Sequence, residues 1–225
     1  MSRRRTIQSL ALAALAFAGV GAHADNVTFT GYANGYQTVN IQLSNPNAPV
    51  SLFAGAGGFL ASLNGGPSFT SYCIDLYQYI GFGAPGFNDY TQVDTASHLF
   101  KNANAATDIA KLFGENNAVN DSVAQAAFQI AVWEIAYETS GTYSLGNGSA
   151  TFSGGSAQSS GALSLATTWL SNLSSVKNGA NLMILDSPGH QDQVAAIPEP
   201  STYALMAAGL LGIGFVARRR AARRD

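Results

Sequence analysis

One cysteine and one glutamine carry the chemistry of this 225-residue chain. Cys73 is the sole cysteine, and it lies in the aromatic and β-branched stretch Phe69–Ile80. Gln129 lies in Asp121–Thr139, the strongest helix signal in the sequence. Asn120, Asp121 and Ser122 offer N-caps, Ser122-x-x-Gln125 fits a capping box, and Gly141 follows the end. At 100° per residue, Glu134 and Glu138 fall roughly 140–180° around the helix from Gln129. With those glutamates marking the solvent face, Gln129 points inward, flanked at four residues by Gln125 and Trp133. A buried amide must satisfy several donors and acceptors. Two readings follow. In one, Gln129 hydrogen-bonds to backbone and Cys73 is a small apolar core residue or half of an intermolecular disulfide. In the other, the Cys73 thiol attacks the Gln129 side-chain carbonyl, expels ammonia and forms an internal thioester.

The compartment bears on that choice. Arg3-Arg4-Arg5 precede an apolar run from Leu10 to Val20, and Ala22-His23-Ala24 is a small-x-small cleavage site, so residues 1–24 read as a secretory signal peptide removed after Ala24. At the other end, Pro198-Glu199-Pro200-Ser201 precede the uncharged apolar segment Tyr203–Ala217, and arginines crowd 218–224. Fifteen apolar residues fall short of the roughly 20 of a comfortable span, which suits a temporary inner-membrane anchor with its basic end in the cytoplasm. All eight arginines lie in these two ends. Residues 25–196 are then an exported domain, and a lone exported cysteine needs an explanation.

The tail resembles the PEP-CTERM sorting signal of Gram-negative bacteria over 197–225: the PEP motif Pro198-Glu199-Pro200, an apolar helix over 203–217, and the Arg cluster. That resemblance implies processing near Pro198–Ser201 by an exosortase-type membrane protease, and a place at the cell surface or in an exopolysaccharide-rich matrix. Tyr72-Cys73-Ile74-Asp75-Leu76 and Phe128-Gln129-Ile130-Ala131-Val132-Trp133 resemble the two motifs of the thioester domains of bacterial surface adhesins. Carried over, Cys73 is the thiol, Gln129 the acyl group, Trp133 the packing residue one turn on, and Tyr72 the aromatic before the thiol. Phe128 stands where that family usually has Thr. The resemblance implies covalent attachment to an amine or hydroxyl of a surface protein or matrix polysaccharide. The alternative is a non-covalent structural protein of the matrix with a free core cysteine.

Other functions find less support. The exported domain has Lys101, Lys111 and Lys177 against eleven carboxylates, a charge near −8, which disfavours nucleic acid as a partner. His98 and His190 show no metal-ligand spacing, and no cofactor motif is present, so neither metal nor cofactor is expected. A Ser–His–Asp set or a glycosidase carboxylate pair can be drawn, but nothing selects its members. The expectation is a non-enzymatic protein.

The elements that must position the pair read as α+β, with short antiparallel strands around a helix-rich centre. Val27–Tyr32 and Thr38–Leu43 form a hairpin across Asn34-Gly35. Val50–Phe53 is a further strand, and Ala54–Pro67 a glycine-rich break. Phe69–Ile80 is a central strand, closed by Gly81–Gly86. Helices cover Thr95–Asn102, Ala105–Phe113, Asp121–Thr139 and Leu163–Leu173. Ser140–Gly161 is a Gly/Ser-rich long loop, with a hairpin around Gly146-Asn147-Gly148 as the alternative, and Asn181–Asp186 a final strand.

Overall fold

The computed structural model describes residues 24–44, 49–83, 85–115 and 119–197. The signal sequence through His23, Pro198–Ser201, the apolar segment 203–217 and the Arg cluster lie outside the described residues. No helix among the described residues is long and apolar enough to cross a membrane.

The architecture is mixed, with antiparallel strands and four helices among the described residues. Six strands close a barrel in the order β1 (Asp25–Tyr32), β4 (Phe59–Leu63), β5 (Ser68–Cys73), β9 (Gln193–Ala196), β8 (Leu182–Asp186) and β6 (Phe87–Val93). A separate three-stranded sheet runs β3 (Val50–Ala56), β2 (Gln37–Leu43) and β7 (Ala150–Ser153). The helices are α1 (Ala105–Glu115), α2 (Ser122–Tyr137), α3 (Gly155–Ser159) and α4 (Ala162–Asn172). Helix α2 is the hub, in contact with α1, α4, β5 and all three strands of the second sheet. Residues Gln125 to Tyr137 are all buried, and a helix buried all round has no solvent stripe.

Several expectations are corrected here. The β1–β2 hairpin does not form: β1 pairs with β4 and β6, while β2 pairs with β3 and β7. Val27 and Phe29 belong inside the barrel and Val39, Ile41 and Leu43 in the second sheet, so the chain at Asn34-Gly35 passes from one layer to the other. The stretch Phe69–Ile80 is not one strand. β5 ends at Cys73, where the Asp75 carboxylate accepts from the Tyr77 N–H at 2.7 Å and turns the chain.

Thr95–Asn102 is not a helix. The Asp94 carboxylate takes the N–H groups of Ala96 and Ser97 and the Ser97 hydroxyl, and the chain leaves in turns. β6 was not anticipated. The glycine-rich segment holds β4, and 140–161 holds β7 and α3. Finally, Glu134 and Glu138 do not mark a solvent face: both are buried. The expected capping box is absent as well. Asp121 caps α2, its Oδ1 accepting from Val123 and Ala124 at 2.9 Å.

Candidate functional site

Gln125, Gln129, Trp133 and Tyr137 recur every four residues and form one stripe of α2. Each meets the end of β5 or the chain just beyond it. Gln125 Oε1 accepts from the Tyr72 hydroxyl at 2.9 Å and from the Gly58 N–H at 3.0 Å, and its Nε2 donates to the Val119 carbonyl at 3.0 Å. The Gln129 amide grips the Cys73 main chain from both ends. Its Oε1 accepts from Cys73 N at 3.0 Å and its Nε2 donates to Cys73 O at 2.8 Å. The Tyr137 hydroxyl accepts from Leu76 N at 2.7 Å. These contacts lay the strand end along the helix, with Cys73 and Gln129 both fully excluded from solvent.

The thiol donates to the Asp75 carbonyl at 2.7 Å. Burial pushes its pKa well above the ordinary thiol value, and the Asp75 and Asp192 carboxylates push the same way; Trp133 and the Asp75 backbone oppose them. The Trp133 indole N–H therefore lies near the sulfur, yet it has no partner of hydrogen-bond geometry among the described residues. Trp133 stacks parallel to Phe152 at a ring separation of 6.4 Å. Phe128 faces the other way, with its ring 4.4 Å from Tyr72 and 4.8 Å from Phe113. It is a packing residue behind the site.

The two glutamates act below this stripe. Glu134 Oε1 accepts from Ser144 N at 2.6 Å, and Oε2 has no partner among the described residues. Burial pushes the Glu134 carboxyl up to about 7, the Ser144 N–H opposes the shift, and Glu138 adds to it. Burial also works to raise Glu138, but N–H groups of Thr139, Ser140 and Ser149 prevail and hold it below the usual carboxylate range. Together the pair pins the 138–149 loop to the end of α2.

Of the residues singled out in sequence, Cys73, Gln129, Tyr72 and Trp133 come together. Gln125, expected as an inward neighbour of Gln129, joins them; Tyr137 was missed as a member of the stripe, and its spacing of eight residues from Gln129 and four from Trp133 was the available signal. The histidines go elsewhere. His190 Nδ1 lies 2.9 Å from Asp89 Oδ2, and the Ser187 hydroxyl donates to that same oxygen at 2.8 Å. The serine is thus bonded to the carboxylate rather than to the imidazole, an arrangement that clamps a turn and does not activate a nucleophile. His98, Asp186 and Asp192 bring possible ligand atoms within 4.8 Å of one another, a grouping invisible in sequence spacing.

Residues 196–220 match the PEP-CTERM protein-sorting motif. The motif implies processing by an exosortase, a membrane protein, and a surface destination. No curated protein matches the chain. Among solved structures, the chain is similar to the N-terminal domain of the Streptococcus pyogenes pilus tip adhesin Cpa, at 13% identity and a TM-score of 0.46, over 80% of this chain and 96% of that one. It is similar also to the N-terminal thioester domain of the fibronectin-binding protein SfbI from Streptococcus pyogenes, with the same identity and TM-score, over 80% of this chain and 97% of that one.

Proposed function

We propose that Cys73 and Gln129 join as an internal thioester, and that this PEP-CTERM-sorted protein uses it once to attach covalently to an amine or hydroxyl outside the cell. The observation that carries the reading is the reciprocal pair of hydrogen bonds between the Gln129 amide and the Cys73 main chain, wholly buried. They hold the side-chain carbonyl of one residue beside the other residue's thiol-bearing backbone. The Cys73 sulfur adds to Gln129 Cδ, the C–N bond breaks, and the thiol proton leaves with the amide nitrogen as ammonia. A later nucleophile adds to the same carbon. The C–S bond then breaks and the nucleophile's proton goes to the sulfur, leaving a free thiol and a stable amide or ester. Nothing restores the bond, so this is a trap and not an enzyme.

Burial serves the trap twice. It excludes water from the acyl carbon. It also raises the thiol pKa, and a more basic thiolate is a poorer leaving group, which slows hydrolysis.

Intact mass tests the reading. The folded wild type is expected lighter than its sequence by one ammonia, with the full mass restored in Cys73→Ala and in Gln129→Ala. Methylamine should add at Gln129 and release one titratable thiol. A native domain of full mass with a free thiol before any amine is added removes the proposal. An oxidised cysteine is told apart because it gains mass.

One observation favours a second reading: the thiol is already satisfied by the Asp75 carbonyl and kept neutral by burial, as befits an inert core cysteine. The protein is then a non-covalent component of the extracellular matrix.

A further inference from the structure

A cleft of about 270 Å³ opens where the barrel, the second sheet and α2 meet. Its rim carries large rings in water: Tyr79 is 78% exposed, Phe53 64% and Phe82 52%. Side chains so exposed contribute little to a core, and grouped around one concavity they mark a binding surface. Part of the aromatic wall is already packed. Tyr32 lies 5.1 Å from Phe59 and 5.6 Å from Phe82 between ring centres, and Phe59 lies 5.8 Å from Phe82. A wall braced in this way loses little freedom on binding.

Three further features define the occupant. No Asp, Glu, Lys, Arg or His lines the cleft, so nothing there answers a charged ligand with an opposite charge. Two lining residues hold shielded polar atoms with no partner among the described residues: the acceptor Gln78 Oε1 and the donor Trp133 Nε1. Buried groups of this kind cost stability unless something satisfies them. Lastly, the cleft adjoins the candidate pair through two of its lining residues, while Cys73 and Gln129 themselves stay buried behind it. Trp133 lines it and lies near the Cys73 sulfur, and Gln191 lines it while donating at 2.7 Å to the Asp75 carbonyl that takes the thiol proton.

We infer that this cleft binds a neutral sugar residue of a polysaccharide, stacked on the rim rings and read through its hydroxyls by Gln78 and Trp133, and that it presents a sugar hydroxyl to Gln129. A sugar ring offers flat C–H faces to the aromatics. It also carries both hydroxyl donors for Gln78 and hydroxyl acceptors for Trp133. Recognition stands on the cleft alone; only the covalent step rests on the thioester reading. In that step the hydroxyl oxygen bonds to Gln129 Cδ, the C–S bond breaks, and the hydroxyl proton passes to the Cys73 sulfur, giving an ester and a thiol.

The test separates the two parts. Recognition is measured in Cys73→Ala, which cannot form a thioester, by following the Trp133 indole N–H resonance. The probes are neutral hexasaccharides (β-1,4-glucan, β-1,3-glucan, α-1,4-glucan and β-1,4-mannan) and, as a cationic comparison, N-acetyl-lysine amide. At least one hexasaccharide should shift the resonance saturably. Tyr79→Ala combined with Phe53→Ala should weaken that binding about tenfold, while Leu99→Ala, exposed and outside the cleft lining, leaves it intact. In the wild type the bound hexasaccharide should become an ester on Gln129, seen as a mass gain and a new thiol. The inference is overturned if no hexasaccharide shifts the resonance up to roughly 10 mM, or if only the lysine amide does so. A sugar that binds Cys73→Ala while the wild type shows no ammonia deficit keeps the cleft and removes the thioester. An ammonia deficit without sugar binding does the reverse.

Discussion

Gln129 holds Cys73 by its backbone and not by its sulfur: the two ends of one amide bond the N–H and the carbonyl of a single residue, at 3.0 and 2.8 Å. The thiol is left to the Asp75 carbonyl, to which it donates at 2.7 Å, while the carbon it would attack is fixed relative to its own main chain. In the unreacted domain Gln129 is thus also a structural tie between α2 and the end of β5.

That tie can be measured without the thioester. In a Cys73→Ala background the amide persists, and adding Gln129→Ala strips partners from a buried N–H and a buried carbonyl. The double variant should be less stable than Cys73→Ala by about 2–4 kcal/mol in denaturant unfolding. A difference under about 1 kcal/mol would show that the tie is unimportant.

Gly58 is required by close approach. A Cβ there would collide with Gln125 Oε1 and with Thr70 Cγ2, and would touch the Tyr72 ring at 3.0 Å. Gly58→Ala should destabilise the domain by about 1–3 kcal/mol and slow methylamine uptake, because it displaces the partner of Tyr72 beside the reactive pair. Gly146→Ala, with nothing within 4 Å of the added carbon, should stay within about 0.5 kcal/mol of wild type. Equal effects in the two variants would refute the packing argument.

Glu134 makes stability depend on pH. Its folded pKa of about 7 lies above the roughly 4.3 of an unfolded glutamate, so folding takes up a proton between these values. The stability this group contributes is fully present below about pH 4.3 and is lost as pH rises through 7. Glu134→Gln keeps an oxygen for the Ser144 N–H and cannot ionise. Between pH 5 and pH 8 it should lose about 2–3 kcal/mol less stability than the wild type. Parallel pH profiles for the two proteins would remove Glu134 as the source.

The tail prediction concerns processing. Cells exporting the protein should release or display it without peptides covering 203–220, while Glu199→Ala combined with Pro200→Ala should leave those peptides attached in the membrane fraction. Mass mapping decides between the outcomes, and recovery of 203–220 from the external wild-type protein contradicts removal of the sorting signal.

Local chemistry by itself determined a good deal. The sorting motif was legible because it is a linear address, with its residues adjacent in the chain. Helix α2 was legible from its cap and from an unbroken run of helix-compatible residues. The candidate pair was legible because one cysteine left no competing thiol, and because the residues around Cys73 and Gln129 are contiguous.

Only the tertiary structure decided which strands pair, and there local reasoning failed for a physical reason. Asn34-Gly35 has good hairpin chemistry, but β1 buries Val27 and Phe29 in one layer and β2 buries Val39 and Ile41 in another, and layer burial outweighs turn preference. The burial of Glu134 and Glu138 had the same origin. Charge suggested a solvent face, but α2 is covered on every side, and the 138–149 loop supplies the N–H groups that make the burial tolerable. The cleft beside Trp133 is assembled from β1, β3, β4, the chain after β5, the chain before β9, and α2. Such long-range juxtaposition leaves no signal in sequence spacing, because burial is a property of the whole packed chain and not of the residues on either side.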